Sequence, residues 1–355
     1  MITVSADVLS AQLISVLQAW GLSPDHAQTC ARVMVDTDLC GVDSHGVGML
    51  SAYEEWWQEG KINARPTLAV LRDQPGLCTI DADQSLGHPP SVMAMEMAIE
   101  KAKTQGVGIA VVTRSNHYGA AGYYARMAAE CGMVGISTSA TPGPLMVPTF
   151  GKQTRLGSNP MAFAAPVANG QPVVVDMATT TVAFGKVSIA RRGGKTLPEG
   201  WTLDENGDIT TDTEVACALR AITPLGGTRT LGSHKGYGLA VMVEVLSSVL
   251  SGGLFSGHVP ETGERSDKIN IGHFFMAIDP HAARGDEHAF GIDMSYLVNF
   301  LRDTAPIDPA QPVLVPGDPE HESLAQRQAE GIPMVPALVE EVRGVVERSG
   351  VPFLL

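Results

Sequence analysis

The stretch MAMEMAIEKAKTQGVGIAVVTRSNHYGAAGYYARMAAECGMVGISTS, residues 93–139, switches twice between two hydrophobic patterns. Residues 93–106 read as a helix closed by Gly106. VGIAVVT (107–113) is a continuous apolar run, as expected of a strand buried on both faces. GAAGYYARMAAECG (119–132) returns to the helical pattern, and MVGISTS (133–139) is a second strand. This alternation predicts an α/β fold. Downstream, VVVDMAT (173–179) reads as a strand, residues 235–251 as a long helix, and GHFFMAIDP (272–280) as a late strand. The polar segment 191–212 reads as a surface loop turning at Glu205-Asn206-Gly207. Upstream, Val8, Leu9, Leu13, Val16, Leu17 and Trp20 form a helical stripe that Gly21 ends. Ser23-Pro24 opens another helix, which carries Ala27, Ala31, Met34 and Val35. Residues 50–59 suggest a short helix bearing Tyr53, Trp56 and Trp57, and residues 320–348 are helical with proline breaks. The expectation is one compact unit. Its α/β cofactor-binding domain spans 76–309, and a helical domain is built from both chain ends, 1–75 and 310–355.

Composition narrows the function. The chain has 355 residues, of which 44% are hydrophobic, so it can bury a large core. Its net charge is −14 with the acids dispersed, which argues against nucleic-acid binding, a function that needs clustered Lys and Arg. The longest apolar stretch, 236–254, contains Glu244 and several serines, so a buried helix is expected rather than a membrane span. MITVSADVLSAQLISVLQAWG carries no basic leader, and the expected location is the cytoplasm. The five cysteines show no CxxC pair, so neither a disulfide framework nor a zinc site is expected. GxGxxG, GxxxxGK[ST], HExxH and GxSxG are all absent. A dinucleotide could therefore bind only without the Rossmann turn, and no metal is expected.

Two segments carry candidate chemistry. DLCGVDSHGVGML (38–50) sets Asp43, Ser44 and His45 side by side before Gly46 and Gly48. TRSNHYGAAGYYA (113–125) has the same texture around His117. Imidazoles titrate near neutrality and suit proton exchange, although a lone loop histidine is more often structural. Asp176 ends an apolar strand, where a carboxylate can face the crevice of an α/β sheet or simply cap a turn. Ser44, His45 and Asp176 could thus form a hydroxyl–imidazole–carboxylate relay. GSHKGYG (232–238) puts His234 and Lys235 at a helix start, suited to a phosphate or to an ordinary N-cap. GSNPMAFAAP (157–166) and PGDPE (316–320) read as turns.

Taken in order, DSHGVG, SNHYGAAGYYA, LGSNPMAFAAP, VVDMATT, GSHKGYGLAVMVEVLSSVLSGG and VPGDPE resemble the malate/L-lactate dehydrogenase family of the non-Rossmann type, across nearly the whole chain. The resemblance implies an NAD- or NADP-dependent homodimer on an unusual α/β fold. It implies His45 and His117 as proton donors or acceptors, with Ser44 and Asp176 as relay partners. It implies cofactor contacts at Thr141, Asp176, Met177, Ala178, His234, Lys235, Pro316 and Gly317. One departure stands out. Met49 occupies the place where the family carries an Arg that looks like the clamp for a substrate carboxylate. Another cation (Arg114, Arg155 or Lys235) would then have to take that carboxylate, or the substrate differs. The expected reaction is hydride transfer between nicotinamide and C2 of a small 2-oxo or 2-hydroxy acid. The alternative is reduction of a cyclic imine such as Δ1-piperideine-2-carboxylate or Δ1-pyrroline-2-carboxylate.

Overall fold

Residues 2–141, 143–256, 270–286 and 288–355 are described by a computed structural model. Its first part runs β1 (Ile2–Val4), α1 (Ala6–Ala19), α2 (Pro24–Leu39), a 3₁₀ turn (Val47–Met49) and α3 (Leu50–Gln58). There follow β2 (Ala69–Asp73), β3 (Leu77–Asp81), α4 (His88–Gln105), β4 (Val107–Ser115), α5 (Ala121–Glu130), β5 (Val134–Ser139), β6 (Met161–Ala165) and β7 (Val173–Met177). Next come α6 (Phe184–Arg192), β8 (Thr202–Leu203), β9 (Ile209–Thr210), α7 (Thr213–Leu219) and α8 (Ser233–Glu244). The last part holds β10 (Ile271–Ile278), α9 (Pro280–Arg284), α10 (Ala289–Arg302), α11 (Asp318–Glu330), β11 (Ile332–Met334) and α12 (Pro336–Arg348).

Local chemistry sets the helix starts. The Ser5 and Ser23 hydroxyls accept the N–H groups of Val8 and His26, each at 3.3 Å, and Pro24 stands in the first turn of α2, where it removes no helix bond. The same tolerance lets α4 begin at His88, five residues before the hydrophobic pattern predicts, because Pro89 and Pro90 fall in its first turn. The long helix expected over 235–251 is regular only to Glu244. It continues as one π turn, Val245–Val249, from which Ser247 meets Thr138 of β5 at 2.7 Å. The polar segment is more ordered than a plain loop. Asp204 accepts the N–H groups of Asn206 and Asp208 and shapes the turn between β8 and β9.

Seven strands form one sheet in the order β2-β3-β4-β10-β5-β6-β7. Only β3 and β4 pair in parallel, and the other neighbours are antiparallel. Its centre is β10, inserted between β4 and β5 from far downstream. One apolar cluster joins this sheet to α4 and α5 through residues such as Ile80, Met95, Val112, Tyr124 and Phe275. A second gathers Leu9, Leu13, Leu17, Met34, Leu50 and Tyr53 with Ile332, Met334, Val342 and Val345, so the two ends of the chain share one helical core. There β1 pairs antiparallel with β11. A small third cluster holds Leu145, Val182, Val187 and Ile222.

Candidate active site

The loop between α2 and α3 meets the loop between β4 and α5, and this junction brings the two histidine motifs together. The His45 and His117 rings stack with centroids 5.5 Å apart and planes 28° apart. Ser44 Oγ lies 2.8 Å from His45 Nδ1. Tyr53 of α3 places its hydroxyl 2.7 Å from His117 Nδ1, and the Gly119 N–H donates to the same nitrogen at 3.3 Å. Trp56 stands edge-on to His117 at 6.4 Å. Burial lowers the pKa of His45. Burial lowers that of His117 much further, and the neighbouring His45, His88 and His273 add to the effect. Both imidazoles are therefore neutral near pH 7, although they touch solvent at the surface of the site.

The loop that carries His45 is held from two sides. Asp38, on the last turn of α2, is only 1% exposed and accepts the Val47 N–H at 2.8 Å. Its carboxyl presses against Gly46, where an added Cβ would fall within 3.0 Å of Oδ1, Cγ and Oδ2. Burial pushes the Asp38 pKa up to about 7; the Val47 amide opposes that shift. Arg327 of α11 donates to the Asp38 carbonyl at 2.6 Å and pairs with Asp43. Asp38 opens the DLCGVDSHGVGML segment, but neither it nor Arg327 is expected in the site from the sequence. A signal for Asp38 does exist: it continues the spacing of Ala27, Ala31 and Met34 along the buried stripe of α2, where a carboxylate needs a partner. Beneath the site, His273 of β10 stacks on Tyr118 at 4.5 Å and hydrogen-bonds Ser139 and Ser115, each at 2.9 Å.

Asp176 lies at the exposed end of β7 and accepts the Gly122 N–H at 2.7 Å, near the start of α5. Crowding by the surrounding protein pushes its pKa up to about 6, the Gly122 amide pulls it down and Glu320 pushes it up. Among the described residues no hydrogen bond links Asp176 to His45, so the Ser44–His45 pair stands without its third member.

The other candidate residues fall into two groups. Thr141 Oγ1 accepts the Asn159 N–H at 3.0 Å and contacts Ser158 Oγ at 3.2 Å. Beyond Met177 and Ala178, the Thr179 hydroxyl donates to the Ser158 carbonyl at 2.9 Å. Asn159 donates to Glu244 of α8 at 2.5 Å and to the Ala240 carbonyl at 3.1 Å. These bonds tie the ends of β5 and β7 to α8. His234 and Lys235 are exposed in the first turn of that helix, which no side chain caps. Beside it opens a cleft of about 330 Å³ whose lining includes Lys152, Pro224, Arg229 and Ser233. Lys235 at this helix start, with Lys152 and Arg229 in the cleft, suits an anionic group. Pro316 and Gly317 lie elsewhere: the Pro316 carbonyl accepts the Val174 N–H at 3.0 Å and extends the edge of β7. Of the cations that could replace an Arg at position 49, Arg114 is paired with Asp81 and Asp83 at 2.8 and 3.1 Å. Arg155 donates to Gln153, and Met49 packs on the helical core. Among the described residues no cluster of three or more His, Cys, Asp or Glu could hold a metal ion.

The sequence model for malate/L-lactate dehydrogenase matches residues 4–343. A malate dehydrogenase of Pyrococcus horikoshii is 40% identical over 355 residues, covering 99% of this chain and 97% of its own. A malate/(S)-sulfolactate dehydrogenase of Methanothermus fervidus is 36% identical, covering 96% of each. The crystal structure of a malate dehydrogenase from Entamoeba histolytica superposes with a TM-score of 0.93 at 31% identity, covering 100% of this chain and 99% of its own.

Proposed function

The chain belongs to the malate/L-lactate dehydrogenase family, and from that premise we propose that it interconverts a small 2-hydroxy acid and its 2-oxo acid. It is an oxidoreductase of a family that uses a nicotinamide cofactor. When bound, the nicotinamide supplies the hydride to C2 or takes it away. The residues of the chain handle the proton on the substrate oxygen and the placement of both molecules. The observation that carries the reading is the His45–His117 pair, two neutral imidazoles 5.5 Å apart beside Ser44, Tyr53 and Trp56. In reduction a proton must reach the developing alkoxide, and in oxidation it must leave the hydroxyl. Positioned acid–base groups of this kind contribute ~10²–10⁴-fold to rate. Asp176, linked to α5 through Gly122, would orient the loop behind His117. Cofactor contacts are assigned to Thr141, Asp176, Met177, Ala178, His234 and Lys235, with NAD and NADP both compatible. Pro316 and Gly317 would act by shaping the edge of β7.

Met49 brings no charge to the carboxylate end of the site, Arg114 is neutralised and Arg155 donates to Gln153, so of the three cations Lys235 is the one without a side-chain partner among the described residues. A homodimer is supported by the exposed apolar face of α10, where Tyr296 is 72% and Phe300 75% exposed. The separate helical and sheet cores support the two-domain division. A cytoplasmic location fits the finding that no described helix is long and apolar enough to cross a membrane. The test is a panel of 2-oxo acids and cyclic imines with NADH and NADPH, run on the parent, His45→Ala and His117→Ala. Turnover of a 2-oxo acid should fall in both variants by far more than cofactor affinity does. Full turnover in both, or preference for a cyclic imine, would sink the assignment.

A further inference from the structure

The two histidines are not equivalent, and the difference lies at Nδ1. In His117 this nitrogen meets two groups at once: the Tyr53 hydroxyl at 2.7 Å and the Gly119 amide at 3.3 Å. A hydroxyl can donate or accept, but an amide N–H can only donate. The amide therefore needs the Nδ1 lone pair, and with that lone pair facing outward the hydroxyl donates too. The ring proton is left on Nε2. The scaffold makes this arrangement stiff. Gly119 has φ +80°, the left-handed turn that aims its N–H back at the ring, and a Cβ there would come within 3.2 Å of His88 Nε2. Tyr53 is fully buried, and its ring is flanked edge-on by His88 at 5.7 Å. His45 differs. Its Nδ1 faces Ser44, whose exposed hydroxyl rotates freely and serves either tautomer.

We propose that Tyr53 is a positioning residue: with the Gly119 amide it holds His117 as the neutral Nε2–H tautomer, so that His117 grips the substrate oxygen as a hydrogen-bond donor while His45 exchanges the proton. In this state His117 has no free lone pair to act as a base. Losing the Nε2 proton would leave an imidazolate, and gaining one at Nδ1 would displace two donors. A neutral imidazole that polarises a carbonyl is an established electrophile, as in triosephosphate isomerase. The depressed basicity of His117 agrees with this role. In reduction the alkoxide oxygen accepts the His117 Nε2–H bond, and His45, neutral at rest, first takes up a proton from solvent and then passes it to that oxygen. In oxidation neutral His45 removes that proton. The inference rests on the hydroxy-acid reading above, but the ring tautomer can be read without any substrate.

The experiment is two-bond ¹H–¹⁵N correlation spectroscopy of the ¹⁵N-histidine-labelled protein, with the His117 signals assigned by their loss in His117→Ala. The parent should show the Nε2–H pattern for His117 from pH 6 to 9. In Tyr53→Phe the pattern should move toward a tautomer mixture, and kcat should fall about five- to tenfold with the cofactor Kd unchanged. Phe keeps the buried ring, and the parent spectrum alone decides the matter if the variant fails to fold. An Nδ1–H pattern in the parent overturns the proposal. So does an unchanged tautomer in Tyr53→Phe, whatever happens to kcat. Absent turnover with 2-oxo acids but an intact Nε2–H pattern would refute the substrate reading and support this one.

Discussion

Substituting Gly46 by Ala probes the hold on His45 most directly. A Cβ added there has no room beside the Asp38 carboxyl. The new Cβ would fall within 3.0 Å of three carboxyl atoms of Asp38, where ordinary contact needs about 3.5 Å. Asp38 cannot step aside without cost, because it is buried and its Oδ2 holds the Val47 N–H. Overpacking of this kind costs about 1–3 kcal/mol. A Val47 amide left buried without an acceptor adds about 1–3 kcal/mol. The expected loss is thus ~2–6 kcal/mol, and at about 2 °C per kcal/mol for a chain of this size Tm should drop by several degrees. The rate should suffer more, since a displacement of about 1 Å can lower turnover ~10²-fold. Cofactor affinity should barely change, because the residues assigned to the cofactor lie after β5, at the end of β7 and on α8 rather than on this loop. Asp38→Ala supplies the control: it orphans the same amide but opens space. Adding Gly46→Ala to it should bring little further loss, giving a large coupling energy in a double-mutant cycle of melting and kcat. If Gly46→Ala melts with the parent and keeps its kcat, or if the two penalties simply add, the steric account is wrong.

Two further outcomes follow from buried charge and missing charge. Burial holds both His88 and His273 down to about 3, against 6.5 for a free imidazole, so between these values the unfolded chain binds more protons and stability falls as pH falls. Asp38, raised to about 7, has the opposite sign, its contribution falling as pH rises from about 4 to 7, so variants must be compared with the parent at each pH. Because neither ring nitrogen of His88 has a hydrogen-bond partner among the described residues, His88→Leu should narrow the gap between Tm at pH 7.5 and at pH 5; an unchanged gap would show that His88 is not a neutral buried ring. Met49→Arg should restore a carboxylate clamp and raise kcat/KM for a dicarboxylic 2-oxo acid about tenfold relative to a monocarboxylic one, as one charge-assisted pair supplies ~1.5–3 kcal/mol. No rise in kcat/KM for either substrate would place residue 49 outside the carboxylate site, and an equal rise would mean that the new Arg meets the C1 carboxylate both share.

The long periodic elements are legible in the sequence because the information in them is local. The stripe of α1, the Ser23-Pro24 start of α2 and the helix–strand alternation from α4 to β5 all follow from the spacing of neighbours. The sheet order is not local. Nothing near residues 272–280 says that this strand enters between β4 and β5, and β1, β2 and β6 are too short or too irregular to announce themselves. The site divides in the same way. Ser44, His45 and His117 stand in recognisable motifs, but the 5.5 Å approach of the two rings exists only after α3 has packed against the β4 loop. Tyr53 looks like one aromatic of a core helix, and only its hydroxyl distance to His117 reveals a second task. Asp176 illustrates the reverse limit. Its place at a strand end is readable, while its choice of Gly122 over an imidazole depends on how close α5 comes.

The late arrival of β10 has a consequence for how the molecule is made. His273 bonds to residues 134 and 158 positions earlier, and the rest of the strand spans similar distances. On a ribosome adding ~5–20 residues per second, β4 and β5 wait roughly 7–30 s for the strand that joins them. During that wait each presents an unpaired edge, the kind of surface that seeks strands of other chains. Such distant pairing also slows folding once synthesis is complete. The catalytic loop follows directly from β4, so a nascent chain can own both active-site histidines well before it has the floor they stand on. Yield in a fast-translating host should therefore respond to chaperone supply more than to the intrinsic stability of the finished fold.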